Sequence, residues 1–250
     1  MSTQHQNAIK NAMVLAAGKG TRMGAISDTT PKPLVRVAGV PLLDRILAHL
    51  WKVGCEKIVV NVHHLADQIE SHLAPLVAEG HVVISDERDA LLETGGGVKK
   101  ALPMLGRDPI YVINSDALWV DGAGGTLTRL AQAFDPSRMD VLLLLVPTAE
   151  ALGYHGAGDF IPDADPSGPT PIRFRGDAAS APVMFGGIQL VNPALYDDMS
   201  EGRWSNVEIF RKAEKAGRLF GLLHTGHWMH VGTPEAIKAA EDKLASLRLG

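Results

Sequence analysis

Early in the chain, two glycines are set among cations. Gly18-Lys19-Gly20-Thr21-Arg22 follows the apolar run Met13 to Ala17, and after eight spacer residues comes Pro31-Lys32-Pro33. Glycine permits backbone conformations and close approaches that a Cβ would block. A loop that presents Lys19, Thr21, Arg22 and then Lys32 has the composition of a polyphosphate cradle. A surface turn with solvated cations could carry the same glycines; Thr21-Arg22 and the later Pro-Lys-Pro favour the cradle. The loop is not a P-loop, because no two glycines stand four residues apart before Lys and Ser/Thr. Nor is it a dinucleotide fingerprint. Gly18 and Gly20 fit G-x-G-x-x-G, but Met23 holds the third place and Gly24 comes one residue late.

Asp116 stands just past a buried run, in Asn114-Ser115-Asp116. It could cap a turn, but a carboxylate facing a phosphate loop would suit Mg²⁺, a hard cation that takes oxygen ligands. Leu92-Glu93-Thr94-Gly95-Gly96-Gly97 is a second informative stretch. Successive glycines are costly in chain entropy, so this reads as a flexible loop or as a place where something approaches the backbone closely. A third stretch, Trp228-Met229-His230-Val231-Gly232-Thr233-Pro234, reads as a buried strand running into a capped helix. His224, His227 and His230 raise a zinc reading, which alternation along a strand disfavours by turning His227 away from the other two. His63 and His64 read as loop polarity, and His49 and His72 as surface positions on helices.

The elements that must position these residues follow from apolar periodicity. Strands are predicted from Met13, at 57–62, 81–85 and 109–114, with helices at 41–53, 65–78 and 97–105 between them. The three glycines precede the last helix. This alternation gives a parallel sheet with helices on both faces, and short right-handed crossovers favour the order 3-2-1-4. Strands 1 and 4 are then neighbours where the winding reverses, and ligands bind at the carboxyl ends of strands at that point. The Gly18 loop and Asp116 are therefore expected to face one crevice. A helix at 124–134 and a central, very apolar strand at 139–147 follow. Residues 148–182, rich in Gly, Pro, Asp and Ala, are expected to lay an antiparallel hairpin (159–162 with 171–175) beside the sheet. Further strands are predicted at 182–191, 219–224 and 228–231, and helices at 193–199, 206–216 and 234–247. Thr233 caps the last helix, with Pro234 in its first turn. The fold class is α/β: a Rossmann-like doubly wound mixed sheet, mostly parallel, with an added small antiparallel β region.

With 250 residues, 46% hydrophobic and 21% charged, the chain supports a sizeable core and is not of disordered composition. A net charge of −4 excludes a general basic field for nucleic acid. The single cysteine, Cys55, offers neither a disulfide nor a Cys-based zinc site, and a cytoplasmic location is expected. Residues 1–10 read as a loose polar arm. No apolar run nears the roughly 20 residues of a membrane span.

These residues resemble the sugar-1-phosphate nucleotidylyltransferases, whose hallmark G-x-G-T-R-x(n)-P-K is matched by Gly18 to Arg22 and Pro31-Lys32. The likeness extends to Leu15-Ala16-Ala17-Gly18, to Pro33-Leu34-Val35, to the Asp after the fourth strand and to the Trp-x-x-x-Gly-Thr-Pro end. Leu-Glu-Thr-Gly-Gly-Gly is most similar to the members that act on N-acetylmuramic acid 1-phosphate with UTP. Mannose-1-phosphate guanylyltransferases, which usually show Leu-Gly-Thr-Ala there, are the alternative. The resemblance implies transfer of a nucleoside monophosphate from an NTP to a sugar 1-phosphate, with release of pyrophosphate. It implies Mg²⁺ as cofactor, no nucleic acid or membrane partner, and a monomer or small homo-oligomer.

By position, the resemblance implies that Leu15, Ala17, Gly18, Lys19, Gly20, Thr21, Arg22, Glu87, Thr94 and Gly95 bind the nucleotide. Asn114, Asp159 and Gly187 would lie near the sugar phosphate. Arg22, Lys32 and Asp116 would be catalytic, with Asp116 holding Mg²⁺. Residues 1–250 read as a single domain, 1–147 its nucleotide-binding half and 148–250 its sugar-phosphate-binding half. Two positions depart from the pattern. His230 stands where many relatives place a second metal-binding Asp, and an imidazole is a softer partner for Mg²⁺. Ser115 stands where Gly is common. A competing reading from another class is a relative that binds nucleotide as a sensor without reacting.

Overall fold

The computed structural model describes residues 9–248. The chain enters through β1 (Asn11–Leu15), which opens into the glycine loop. That loop holds two 3-10 turns, Thr21–Met23 and Lys32–Leu34, on either side of the one-turn helix α1 (Ile26–Thr29). A small hairpin, β2 (Arg36–Val37) with β3 (Val40–Pro41), leads into α2 (Leu42–Lys52). Then follow β4 (Lys57–Val62), α3 (Ala66–Ala78), β5 (Val82–Asp86), α4 (Glu93–Leu105) and β6 (Ile110–Asn114). The second half comprises β7 (Ala117–Val120), α5 (Thr126–Ala133), β8 (Val141–Pro147), β9 (Phe160–Pro162), β10 (Thr170–Phe174) and β11 (Val183–Val191). It ends with α6 (Val207–Lys215), β12 (Leu219–Leu223), β13 (His227–His230) and α7 (Pro234–Arg248).

One nine-stranded sheet, β5-β4-β1-β6-β11-β8-β12-β10-β9, runs through both halves. Its first four strands are parallel and carry the expected 3-2-1-4 order. β11 runs antiparallel between β6 and β8, and β12 returns parallel to β8. The β9–β10 hairpin is the sheet's own far edge rather than a separate ribbon. Successive residues of a strand face opposite ways. Ala12 and Val14 therefore pack with α2, α3 and α5 on one face, and Met13 packs with α4 and α6 on the other. A sheet covered on both faces needs near-continuous apolar strands, as in β8 (Val141–Pro147) and, apart from Asn61, in β4.

Several local expectations are corrected. Residues 193–199 form only a 3-10 turn, Pro193–Tyr196, capped by the Asn192 side chain; Tyr196 is drawn into the core, where its hydroxyl donates to Asn206 Oδ1 at 2.6 Å. The polar segment read as a loose arm lies outside the described residues except at its end. There Ile9 is buried and the Lys10 carbonyl accepts from the Glu56 and Lys57 amides. His49 and His72 are half-buried, the first stacked on Trp119 at 4.3 Å and the second 2.5 Å from Asp44. Among the described residues, no helix is long and apolar enough to cross a membrane.

The glycine triplet is also not a loop: α4 starts at Glu93, and Gly95, Gly96 and Gly97 are helical. Each glycine gives up about 1 kcal/mol of helix propensity relative to Ala, so packing must require it. A Cβ on Gly95 would lie 2.2 Å from the Trp204 ring, on Gly96 2.0 Å from the Gly202 carbonyl oxygen, and on Gly97 2.8 Å from Glu87 Oε1. What approaches the backbone is the protein itself. Gly96→Ala should therefore lose roughly 1–3 kcal/mol, because the overpacking strain meets a backbone oxygen that cannot swing aside. A lowered urea midpoint relative to wild type is the expected result. Gly168→Ala, which meets nothing within 4 Å, should stay within about 0.5 kcal/mol.

Candidate active site

Leu15 and Asn114, the last residues of β1 and β6, are register partners, and the Ser115 amide donates to the Leu15 carbonyl at 3.2 Å. The glycine loop and the Asp116 loop thus leave the sheet from adjoining points. They enclose a crevice of about 330 Å³ lined by Gly18, Gly20, Thr21, Arg22 and Lys32 on one side and Asn114, Ser115 and Asp116 on the other. The first turn of α4, Asn61 and Gly232 complete it.

The loop's path explains its glycines. Gly20 (φ +63°) and Gly24 (φ +55°) lie in the left-handed region that a side chain disfavours. The Met23 amide closes the turn on the Gly20 carbonyl at 2.8 Å, and Ser27 Oγ donates to the Gly24 carbonyl. Gly24, one residue late for the dinucleotide pattern, is therefore a turn residue of this loop. The chain then folds back, so that Lys32 packs over Gly20, where a Cβ would stand 3.3 Å from Lys32 Cβ.

Lys32 Nζ donates to Asp116 Oδ2 at 2.8 Å, with side chains 11% and 29% exposed. His230 Nε2 lies 3.7 Å from the same oxygen. β7, absent from the sequence expectations, brings them together. It pairs with β13 so that Ala117 faces His230, one residue from Asp116. Gly232 leaves room for the imidazole, since a Cβ there would lie 2.5 Å from the ring. Burial opposes ionisation of Asp116, but its contacts with His230 and Lys32 outweigh that and hold the carboxyl well below the usual carboxylate range. Asp116 is thus an anion at the crevice wall, and among the described residues its Oδ1 takes no hydrogen bond. No cluster of three or more His, Cys, Asp or Glu side chains that could hold a metal ion occurs among the described residues. A single carboxylate beside a glycine-rich cationic loop still fits Mg²⁺, which commonly binds through one or two carboxylates plus substrate phosphates and keeps several waters.

A buried polar chain joins this crevice to α4. The Ala16 amide donates to Asn61 Oδ1 at 2.6 Å, Asn61 Nδ2 donates to Glu87 Oε1 at 2.7 Å, and the Leu92 amide donates to Glu87 Oε2 at 3.1 Å. Thr94 Oγ1 accepts from the Asn206 amide at 2.8 Å, which leaves its own proton to donate into the crevice. Glu93, beside it, takes φ +65°, an uncommon left-handed conformation for a non-glycine.

Leu15, Ala17, Gly18, Gly20, Thr21, Arg22, Lys32, Thr94, Asn114 and Asp116 all line the crevice. Gly187 (φ +76°) stands against Asn114, where a Cβ would lie 3.3 Å from Asn114 Cβ. Lys19 is exposed and does not line the crevice. Glu87 is fully buried behind it, with both oxygens engaged. The Gly95 amide is taken by the Trp204 carbonyl, and Asp159 lines a separate aromatic pocket. His63 and His64 are tethers, bonded to the Glu87 and Ser27 carbonyls. Asn61, Leu91, Glu93 and Gly232 also line the crevice, though none was singled out as a site residue from the sequence. A polar Asn inside the apolar run Lys57–Val62 was the available signal for the first.

Residues 12–191 match the model of the MobA-like NTP transferase domain. The chain is 44% identical over 241 residues to an N-acetylmuramate alpha-1-phosphate uridylyltransferase of Caulobacter vibrioides, covering 95% of this chain and 98% of that one. It is 35% identical to the protein of the same name from Neisseria meningitidis, covering 92% and 96%. Its fold is similar to that of UDP-glucose pyrophosphorylase complexed with UDP-glucose (TM-score 0.75, 17% identity, 95% and 99% covered). With its Gly18–Arg22 loop, its facing Asp and these relatives, the chain belongs to the sugar-1-phosphate nucleotidylyltransferases of the MobA-like NTP transferase family.

Proposed function

We propose that this chain transfers the uridylyl group of UTP to N-acetylmuramic acid α-1-phosphate, releasing pyrophosphate. The observation that carries the reading is the Lys32–Asp116 pair, a cation and an ionised carboxylate in contact at 2.8 Å in one crevice, where two loops leave the ends of neighbouring strands. The relatives named above support the choice of base and sugar. The product would serve cell-wall synthesis or recycling in the cytoplasm.

The nucleophile is a phosphate oxygen of the sugar 1-phosphate. Its second pKa is about 6, so it is mostly dianionic at neutral pH and needs no general base. It attacks the α-phosphorus in line; the bond from that phosphorus to the bridging oxygen breaks, and pyrophosphate leaves with the electron pair. The barrier is the approach of two anions. Lys32 and Arg22 lower it by neutralising charge where it develops and by fixing geometry. Gly18, Gly20 and Thr21 let the triphosphate lie against the backbone, while Leu15, Ala17 and Thr94 flank the nucleoside. Asn114 and Gly187 border the sugar phosphate. Glu87 acts through Asn61 and Leu92, holding the first turn of α4 against the loop. Mg²⁺ held by Asp116, with His230 beside it, would supply further neutralisation of the phosphates. The first half of the chain would hold the nucleotide and the second the sugar phosphate.

Three outcomes follow. Pyrophosphate release should be fastest with UTP and N-acetylmuramic acid α-1-phosphate, and on the order of 10²-fold slower with GTP and mannose 1-phosphate. Tight UTP binding with no release from any sugar phosphate would identify a sensor instead. Lys32→Ala should lower kcat by about 10²-fold or more while far-UV circular dichroism stays unchanged; near-normal turnover would remove Lys32 from the mechanism. Chelation with EDTA should abolish release and added Mg²⁺ should restore it, with Asp116→Asn needing far more Mg²⁺ for half-maximal rate.

A further inference from the structure

A second pocket opens off the crevice, and the chemistry above makes no use of it. Leu15, Thr94 and Asn114 of the crevice also line a junction with Phe185, Gln189 and Phe210. Phe185 and Phe210 in turn line an aromatic pocket of about 390 Å³ that carries Asp159, Arg175 and Arg211. The three spaces are neighbours, each sharing lining residues with the next, and lead from the Gly18 loop towards a pair of guanidinium groups.

Several features of these spaces call for a polar, anionic ligand. Gln189 is 1% exposed, and its amide nitrogen has no hydrogen-bond partner; a buried donor left unpaired is costly. Arg175 Nε is likewise buried and unpartnered, while its Nη1 holds the Ala178 and Ala179 carbonyls. The Arg211 guanidinium lies over the Phe174 ring at 5.1 Å and makes no ion pair or hydrogen bond among the described residues. Asp159 is the acid in the lining, and its Oδ2 accepts from the Phe185 amide at 2.9 Å. Two guanidiniums against one carboxylate leave a positive charge in excess. An aromatic wall beside an unmatched guanidinium complements a short apolar group that ends in a carboxylate.

N-acetylmuramic acid differs from N-acetylglucosamine by such a group, a lactyl ether on O3. Resting on the uridylyl-transfer reading, we infer that the aromatic pocket is the specificity site for this acidic arm. Arg211 and Arg175 pair with the lactyl carboxylate, in the forked geometry that guanidinium offers. The phenylalanines cover its methyl group, and Gln189 donates to the acetamido carbonyl at the junction.

Arg211 is exposed on α6, so its replacement does not threaten the fold, and Arg211→Gln carries the test. Kinetics and calorimetric binding would be measured with the α-1-phosphates of N-acetylmuramic acid and N-acetylglucosamine. Wild type should prefer the acidic sugar. Arg211→Gln should reduce that preference roughly 10- to 100-fold, as for loss of one partner of a charge pair. The effect should fall on KM rather than kcat, and Arg211→Lys should recover part of it. If wild type turns over the acidic sugar phosphate and Arg211→Gln keeps the full preference, this inference fails and the proposed function stands. If wild type binds the acidic sugar phosphate preferentially without turnover, and Arg211→Gln loses that preference, the site stands and the proposed function fails. Absence of both turnover and preference overturns both.

Discussion

The site depends on β1 being hydrogen-bonded between β4 and β6 in one register. Val14 lies opposite Val60 and Leu15 opposite Asn114. A slip by one residue would turn every side chain of the strand to the other face. Both faces are buried, so Ala12, Val14 and Met13 would each meet the wrong layer. That penalty fixes where the glycine loop and the Asp116 loop leave the sheet. It is why Lys32 and Asp116, 84 positions apart, meet at 2.8 Å.

Glycine serves different ends around the crevice. Gly20 and Gly24 provide backbone conformations that allow the loop to turn twice and return Lys32. Gly95, Gly96 and Gly97 are ordinary helical residues that lack a side chain because Trp204, the Gly202 carbonyl and Glu87 occupy the space. Gly187 and Gly232 make room for Asn114 and His230. The helix start that contributes Glu93 and Thr94 to the crevice is therefore pressed into a packed interior rather than left free to open. The Ala16–Asn61–Glu87–Leu92 chain ties it to the end of β1. Removing the Asn61 or Glu87 side chain would leave buried polar groups without their partners.

Electrostatics follow the same economy of parts. Phosphoryl transfer between anions needs fixed positive charge more than acid-base pairs. The crevice supplies Arg22 and Lys32 and a carboxylate held ionised by its neighbours. Truncating one partner of the Lys32–Asp116 pair would leave the other charge uncompensated in a partly desolvated wall.

Apolar runs and their spacing were enough to place most elements, the 3-2-1-4 order and the shared crevice of the Gly18 loop and Asp116. Those features rest on local periodicity and on handedness rules that any such chain obeys. The cationic loop and its Pro-Lys sequel were equally legible, because Gly18 to Arg22 and Lys32 lie close together in the chain. Other features were settled only by contacts between segments far apart in sequence. The β7–β13 pairing sets His230 beside Asp116, and the Trp204 ring, the Gly202 carbonyl and Glu87 leave no room for a Cβ at the three glycines of the first turns of α4. Asn61 becomes a wall of the crevice because Ala16 and Glu87 bracket it, and Phe185 and Phe210 line the spaces that lead towards two arginines. Local sequence specifies which residues could carry the chemistry. Their distances come from packing across the sheet, which no short stretch encodes.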